Sequence, residues 1–297
     1  MFTSIPSPEI SYFELGMFRI HFYALFILAG IVAAILIADR RLQKRGAESG
    51  VAVDIALWTV PLGIIGARIF HVLTHPADYF YAGADLLAVF YIWEGGIAIY
   101  GGLIGGAVGA FLGAKFAGIR FWSFADAVAP GLLLAQAIGR WGNYFNQELY
   151  GLPTDLPWGL EIDPMNSAYP EGLPSGVLFH PTFLYESIWS LVGVALLLVA
   201  DRRFELRWGK LFGLYLIYYS LGRIWVESIR IDPSEIILGL RTNVWSALFG
   251  IAVGIAIILI QSRRHPGLET SVLLPKKEKI KDEIYANGID SDNESKP

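Results

Sequence analysis

The sequence predicts an all-α integral membrane protein with about seven transmembrane helices, a small external head and a disordered C-terminal tail. Three observations predict it. Of 297 residues, 54% are apolar and only 17% charged. Soluble domains carry about 25% charged residues, so a soluble fold of this size could not cover its surface. Mean hydropathy is +0.49. Seven segments approach the length of about 20 mostly apolar residues that a span requires. Lysine and arginine collect in alternate connections between those segments, as the positive-inside rule demands.

The first span covers roughly 20–38. Met1–Arg19 before it holds one basic residue, and the apolar run continues to Ala38 and meets Asp39-Arg40-Arg41. A secretory signal has a basic start, a shorter apolar core and a small-residue cleavage site, so this run reads as a retained span. The others are roughly 51–72, 97–118, 123–141, 182–200, 211–227 and 243–262. The fourth is the weakest, because it contains Asp126 and Pro130. Residues 1–264 form one seven-span domain, and the polar stretch 265–297 reads as a disordered tail.

Arg40, Arg41, Lys44 and Arg45 follow the first span, Lys115 and Arg120 the third, Arg202, Arg203, Arg207 and Lys210 the fifth, and Arg263 and Arg264 the seventh. The connections 73–96 and 143–181 hold no lysine or arginine. The N-terminus is therefore expected outside and the C-terminus in the cytoplasm. Segment 143–181, rich in proline and glycine, is expected to form the external head. Ala82–Trp93 is apolar and aromatic but too short to cross, and reads as an interfacial helix.

There are no cysteines, which excludes a disulfide framework, a thiolate metal site and a cysteine nucleophile. No metal-ligand cluster is visible and no cofactor is implied. The net charge of −4 is small, and no nucleic-acid partner is expected.

The informative residues are charges in apolar surroundings. An arginine at the bilayer centre costs about 2.5–3.5 kcal/mol on insertion scales. Arg68, Arg140 and Arg223 lie late in the second, fourth and sixth spans, which all run from inside to outside. They are expected at one depth near the outer leaflet. The guanidinium fork binds phosphate bidentately, so three forks at one depth would make an anion site at head-group level. The competing reading pairs each arginine with a local carboxylate: Glu227 is four residues after Arg223, and Glu148 and Glu186 are at similar depth. Gly101, Gly105, Gly109 and Gly113 form one stripe on the third span, suited to close helix packing. Gly95-Gly96 and Gly101-Gly102 flank Tyr100, where bare backbone could admit a ligand. The run from Gly139 to Gly151 places Arg140, Asn143, Asn146 and Glu148 at a span end, more polar groups than a helix terminus needs.

At these residues the chain resembles the bacterial prolipoprotein diacylglyceryl transferases. Gly139–Gly151 is similar to that family's signature, with Tyr144 where phenylalanine is usual. His21-Phe22-Tyr23, Gly66-Ala67-Arg68, Trp93-Glu94-Gly95-Gly96, Tyr100-Gly101-Gly102-Leu103, His180–Glu186 and the pair Arg223/Glu227 resemble its other motifs in order. One departure matters: Tyr100 stands where many members have histidine, which puts a simple imidazole-base mechanism in doubt.

The resemblance implies a catalytic membrane domain that transfers the diacylglyceryl group of phosphatidylglycerol to the lipobox cysteine thiol of a prolipoprotein signal peptide, releasing glycerol 1-phosphate. Breaking the carbon–oxygen bond builds negative charge on the departing phosphate, and preorganised donors stabilise such charge. Arg140 and Arg223 are the candidates. The thiol, with an ordinary pKa of about 8.5, must become thiolate to attack. Tyr100 either accepts that proton or orients the phosphate; the orienting role is favoured. The resemblance makes Tyr23, His21, Arg68, Gly101, Gly102, Asn143, Asn146 and Gly151 substrate-binding positions, and Glu148 and Glu227 holders of the arginines. His180 reads as a loop hydrogen-bonder. The alternatives are a transporter of an anionic lipid or metabolite, an intramembrane protease and a scaffold. A transporter would show repeat symmetry and broken spans at midplane, and a protease a serine–histidine or paired-aspartate arrangement; neither pattern is seen. A scaffold would leave the arginine layer unexplained.

Overall fold

The computed structural model describes residues 4–16, 18–275 and 277–279. Among them are seven α-helices: α1 Phe22–Gln43, α2 Val51–Thr74, α3 Ile99–Ala117, α4 Phe121–Phe145, α5 Thr182–Phe204, α6 Lys210–Glu227 and α7 Thr242–Arg264. Sheet is limited to two antiparallel hairpins, β1 Tyr12–Leu15 with β2 Phe18–His21, and β3 Ile236–Ile237 with β4 Leu240–Arg241. Six helices are long and apolar enough to cross a membrane. The exception is α6, whose 18 residues include Lys210, Arg223 and Glu227. Exposed Leu28, Val32 and Leu36 repeat every four residues along α1, an apolar stripe suited to lipid rather than water.

The described residues form two compact units, those within 1–37 and 125–268 and those within 38–124 and 269–279, with boundaries inside α1 and α4.

In the first unit, Ala129, Leu133, Leu197, Leu211 and Tyr215 form a buried core on α4, α5 and α6. The two features that weaken the fourth span in the sequence have a place here. Pro130 lies inside an otherwise continuous α4. Asp126, fully buried, accepts hydrogen bonds from the backbone N–H groups of Gly209 (2.7 Å) and Phe212 (3.0 Å). Its carboxylate thus satisfies donors at the start of α6 that the helix itself leaves free. The connection 146–181 is held by short bridges that pair Pro153 and Leu160 with Phe179, and Ile5 with Leu160. Tyr150, Leu160, Ile162, Phe179 and Phe183 make a small core there. The Tyr150 hydroxyl donates to the Ala168 carbonyl, and burial raises its pKa to about 12.

In the second unit, α2 and α3 pack through the glycine stripe. A Cβ on Gly109 would lie 2.5 Å from the Trp58 carbonyl oxygen, and one on Gly113 would lie 3.0 Å from the Ile55 Cα. Any larger residue would push the two backbones apart.

Two expectations differ from what the structure shows, and one element was not anticipated. Ala82–Trp93 is not one helix. It forms two 3-10 turns, Leu86–Phe90 and Ile92–Glu94, the first capped by Asp85, whose carboxylate accepts from Leu87 N–H at 2.9 Å. Gly95 and Gly96 follow with φ of 94° and 72°, a left-handed backbone that ends helical structure. The hairpin ahead of α1 was not anticipated: Gly16, with φ of 63°, turns the stretch before the first span into paired strands. Finally, the stretch read as a disordered tail is packed at 265–275 and 277–279. His265 stacks on Trp208 at 3.9 Å. Val272 and Leu273 are buried, Arg120 N–H donates to Val272 O, and Leu274 N–H donates to Gly118 O, each at 2.8 Å. Glu269 pairs with Arg45. Two apolar residues and a few backbone bonds anchor an otherwise polar segment. Residues 280–297 lie outside the described residues.

Candidate active site

The polar residues of the first unit gather where α4, α5, α6 and the β4–α7 junction present polar and charged side chains to one another. Arg140, near the end of α4, directs Nη2 to Glu186 Oε2 at 2.5 Å. Arg223, on α6, brings Nη1 to the same oxygen at 3.9 Å. Two guanidiniums from different helices therefore share one carboxylate oxygen. Glu186 sits in the first turns of α5, and α5 starts directly after Pro181, a residue suited to a helix entry. On the far side of Arg223, Nη2 meets Glu227 Oε2 at 3.0 Å, the (i, i+4) spacing that puts both on one helix face.

The signature run supplies a second layer. Arg140 Nη1 donates to Asn143 Oδ1 at 3.3 Å. Asn143 and Asn146 donate their amide N–H groups to Glu148 Oε1 at 2.8 and 3.3 Å. Glu148 thus anchors the two asparagines and reaches Arg140 only through Asn143, whereas Glu227 pairs with Arg223 directly. Gln147 and Leu149 flank Glu148 with φ of 50° and 58°, a backbone that non-glycine residues rarely adopt. Such outliers cluster at functional sites. Gly151 is required by close approach, since a Cβ there would lie 2.7 Å from His180 Cβ and 2.8 Å from Ile229 O. A Cβ on Gly142 would lie 3.1 Å from Tyr23 Cα, so Tyr23 packs on the signature helix. His21 ends β2, with its ring 5.5 Å from that of Tyr12. His180 Nδ1 lies 3.2 Å from the Tyr185 hydroxyl.

The second unit holds Arg68, Tyr100, Gly101 and Gly102. Arg68, buried near the end of α2, spends its donors on backbone carbonyls. Nε donates to Val89 O (2.8 Å), Nη1 to Gly95 O (2.7 Å) and Gly96 O (3.0 Å), and Nη2 to Ala88 O (2.5 Å). Its guanidinium also lies 5.0 Å from the Tyr79 ring centroid, within cation–π range. This side chain ties down the loop that carries Gly95-Gly96. Tyr100 opens α3, partly exposed, with its ring 6.3 Å from Phe70. Gly101 is buried against the Gly66 backbone of α2, while Gly102 has ordinary contacts.

Two participants were missed in the sequence, and one was left without a place. Glu186 stands in a quoted motif, but its shared position between two arginines follows only from folding. Arg241 and Asn243 lie outside every motif. Arg241 Nε donates to Glu227 Oε1 at 2.7 Å, and Asn243 Nδ2 donates to the same oxygen at 2.9 Å. A signal existed: the connection 228–241 carries Arg230 and Arg241, while 73–96 and 143–181 carry no lysine or arginine. Among the described residues, no group of three or more histidine, aspartate or glutamate side chains could hold a metal ion.

Fold and site together define a multi-pass helical membrane protein with partly buried, carboxylate-paired arginines. Residues 11–260 match the family model for prolipoprotein diacylglyceryl transferase. Curated relatives named phosphatidylglycerol–prolipoprotein diacylglyceryl transferase include those of Leifsonia xyli (54% identical, covering 98% of this chain and 91% of the relative) and Paenarthrobacter aurescens (49%, 87% and 84%). A third, from Streptomyces coelicolor, is 48% identical over 90% of this chain and 77% of its own. The chain belongs to the prolipoprotein diacylglyceryl transferase family.

Proposed function

We propose that this chain transfers the diacylglyceryl group of phosphatidylglycerol to the lipobox cysteine thiol of prolipoproteins, in the bacterial cell membrane. The sulfur–carbon bond forms as the carbon–oxygen bond to phosphate breaks. The thiol proton is lost and glycerol 1-phosphate departs. The convergence of Arg140 and Arg223 on Glu186 Oε2 is the observation that carries this reading. A phosphodiester has one negative charge; the departing phosphomonoester approaches two. Fixed guanidiniums therefore bind the transition state more tightly than the ground state. Glu186 holds both forks in place before the lipid arrives.

The remaining assignments follow the family pattern. Arg140 and Arg223 grip the phosphate, and Asn143, Asn146 and Tyr23 position the lipid head group. Glu148 and Glu227 hold these side chains. Tyr100, immediately before Gly101-Gly102, orients the phosphate by hydrogen bonding, and His21 and Gly151 belong to the binding region. The four carbonyl bonds of Arg68 support a role in shaping the Gly95-Gly96 loop. All seven helices cross the bilayer, α6 included because Arg223 and Glu227 have ion-pair partners there, with the N-terminus outside and the C-terminus cytoplasmic.

Purified protein in detergent, given phosphatidylglycerol and a lipobox peptide, should add one diacylglyceryl mass to the cysteine. Arg140→Ala should abolish the gain. Tyr100→Phe should keep a measurable fraction of the rate if the phenol orients; complete loss would make it the proton acceptor. Absence of any mass gain with wild-type protein would overturn the reading.

A further inference from the structure

Glu227 lies at the centre of a chain of charges that extends beyond the family motifs. Its side chain is fully buried. Oε1 accepts from Arg241 Nε and Asn243 Nδ2 at 2.7 and 2.9 Å. Oε2 makes no hydrogen bond and meets Arg223 only as an ion pair at 3.0 Å. The two oxygens therefore differ: one is held by two donors, while the other faces the arginine assigned to the phosphate. Arg241 is itself fixed, because Nη1 donates to Arg230 O at 3.1 Å and Nη2 to Asp232 O at 2.7 Å. Asp232 Oδ2 lies 3.5 Å from Arg241 Nη2, and Asp232 Oδ1 pairs with Arg230 at 2.5 Å.

We propose that Arg241, assisted by Asn243, is a positioning residue for Arg223: it neutralises Glu227 so that Arg223 keeps its charge for the lipid phosphate. This rests on the transfer reaction proposed above. The contiguous chain runs Arg140, Glu186, Arg223, Glu227, Arg241, Asp232, Arg230. Four guanidiniums face three carboxylates, leaving one positive charge, which matches one phosphodiester. Without Arg241 the chain is neutral, and a buried Glu227 has Arg223 as its only cation. Arg223 is then drawn onto Glu227, because an unbalanced buried carboxylate is costly. Asn243 alone cannot prevent this, since an amide supplies no net charge.

The test uses the full chain in detergent, with phosphatidylglycerol and a lipobox peptide, measuring kcat, KM for the lipid and melting temperature. Arg241→Gln should lower kcat by about 10- to 100-fold while KM rises by less than about fivefold, the signature of an interaction that matters most in the transition state. Arg241→Lys, which keeps the charge but not the fork, should recover most of that loss. In a Glu227→Gln background, Arg241→Gln should cost less than about twofold more, because residues acting through one another are not additive. Wild-type turnover for Arg241→Gln would overturn the proposal, as would equal losses in both backgrounds. So would an Arg241→Lys no better than Arg241→Gln at unchanged melting temperature. Should Glu227→Gln leave no turnover, the comparison of lysine and glutamine at 241 decides. Absence of transfer by the wild-type protein strikes the reaction itself; normal transfer by Arg241→Gln strikes only the role of Arg241.

Discussion

Arg68 and Arg223 are both buried or nearly buried arginines late in apolar helices, yet the two units of the molecule use them in opposite ways. Arg68 has four hydrogen bonds to carbonyl oxygens of residues 88–96. These partners are neutral dipoles fixed in the backbone, and they take four of the five N–H donors of the fork. Arg223 has carboxylates as partners, Glu227 at 3.0 Å and Glu186 at 3.9 Å, and neither pair forms a hydrogen bond of ideal geometry. A fork bound by carbonyls holds a loop. A fork held loosely between carboxylates, with a further cation balancing them, can turn to an incoming anion. On the function proposed here, the partner, rather than the arginine, decides between structure and chemistry.

That contrast can be broken or sharpened by substitution. The largest effect is expected for Arg223→Lys, which keeps the charge but loses the fork. Transfer should fall by about 100- to 1,000-fold, the usual cost of losing a transition-state donor, with the melting temperature little changed. A rate within tenfold of wild type would show that charge alone suffices there. Arg68→Lys should do the reverse. A single ammonium cannot reach four carbonyls, so stability should fall by about 1–3 kcal/mol, read as an earlier thermal transition. Limited proteolysis should find the 86–96 loop opened first. Equal stability of wild type and Arg68→Lys would remove the distinction drawn between the two arginines.

The smallest effect concerns the head. Tyr150→Phe removes the hydroxyl bond to Ala168 and should cost about 1 kcal/mol. Burial raises the Tyr150 phenol to about 12, above its unfolded value of about 10. The neutral form is the one the fold favours, so its stabilisation is complete below pH 10 and is lost as pH rises through about 12. Alkaline unfolding curves of wild type and Tyr150→Phe should therefore converge across that window. Curves that stay parallel would show that Tyr150 does not govern the alkaline behaviour of the head.

Much of the fold was legible because apolar length is a local property. The seven apolar segments fall on α1 to α7 with ends shifted by a few residues, even where Asp126 and Pro130 weaken the pattern. The glycine stripe on α3 was legible for the same reason, since a four-residue repeat defines a face without knowledge of the neighbour. The candidate site was legible where motif residues lie close in the chain, as with Arg140, Asn143, Asn146 and Glu148. It was not legible where partners come from distant segments. Arg223 and Arg241 are 18 positions apart and meet through Glu227. Val272 and Leu273 stand in a stretch read as a polar tail, yet they are buried, with Arg120 N–H donating to Val272 O and Leu274 N–H to Gly118 O.

By itself the sequence determined that this chain crosses a membrane through repeated apolar helices and carries more arginine at their ends than lipid would tolerate without partners. Those conclusions need only length, composition and spacing. Which carboxylate or carbonyl each arginine meets was decided by tertiary structure alone. Side-chain charge acts over a few ångströms, and only folding sets which groups come that close.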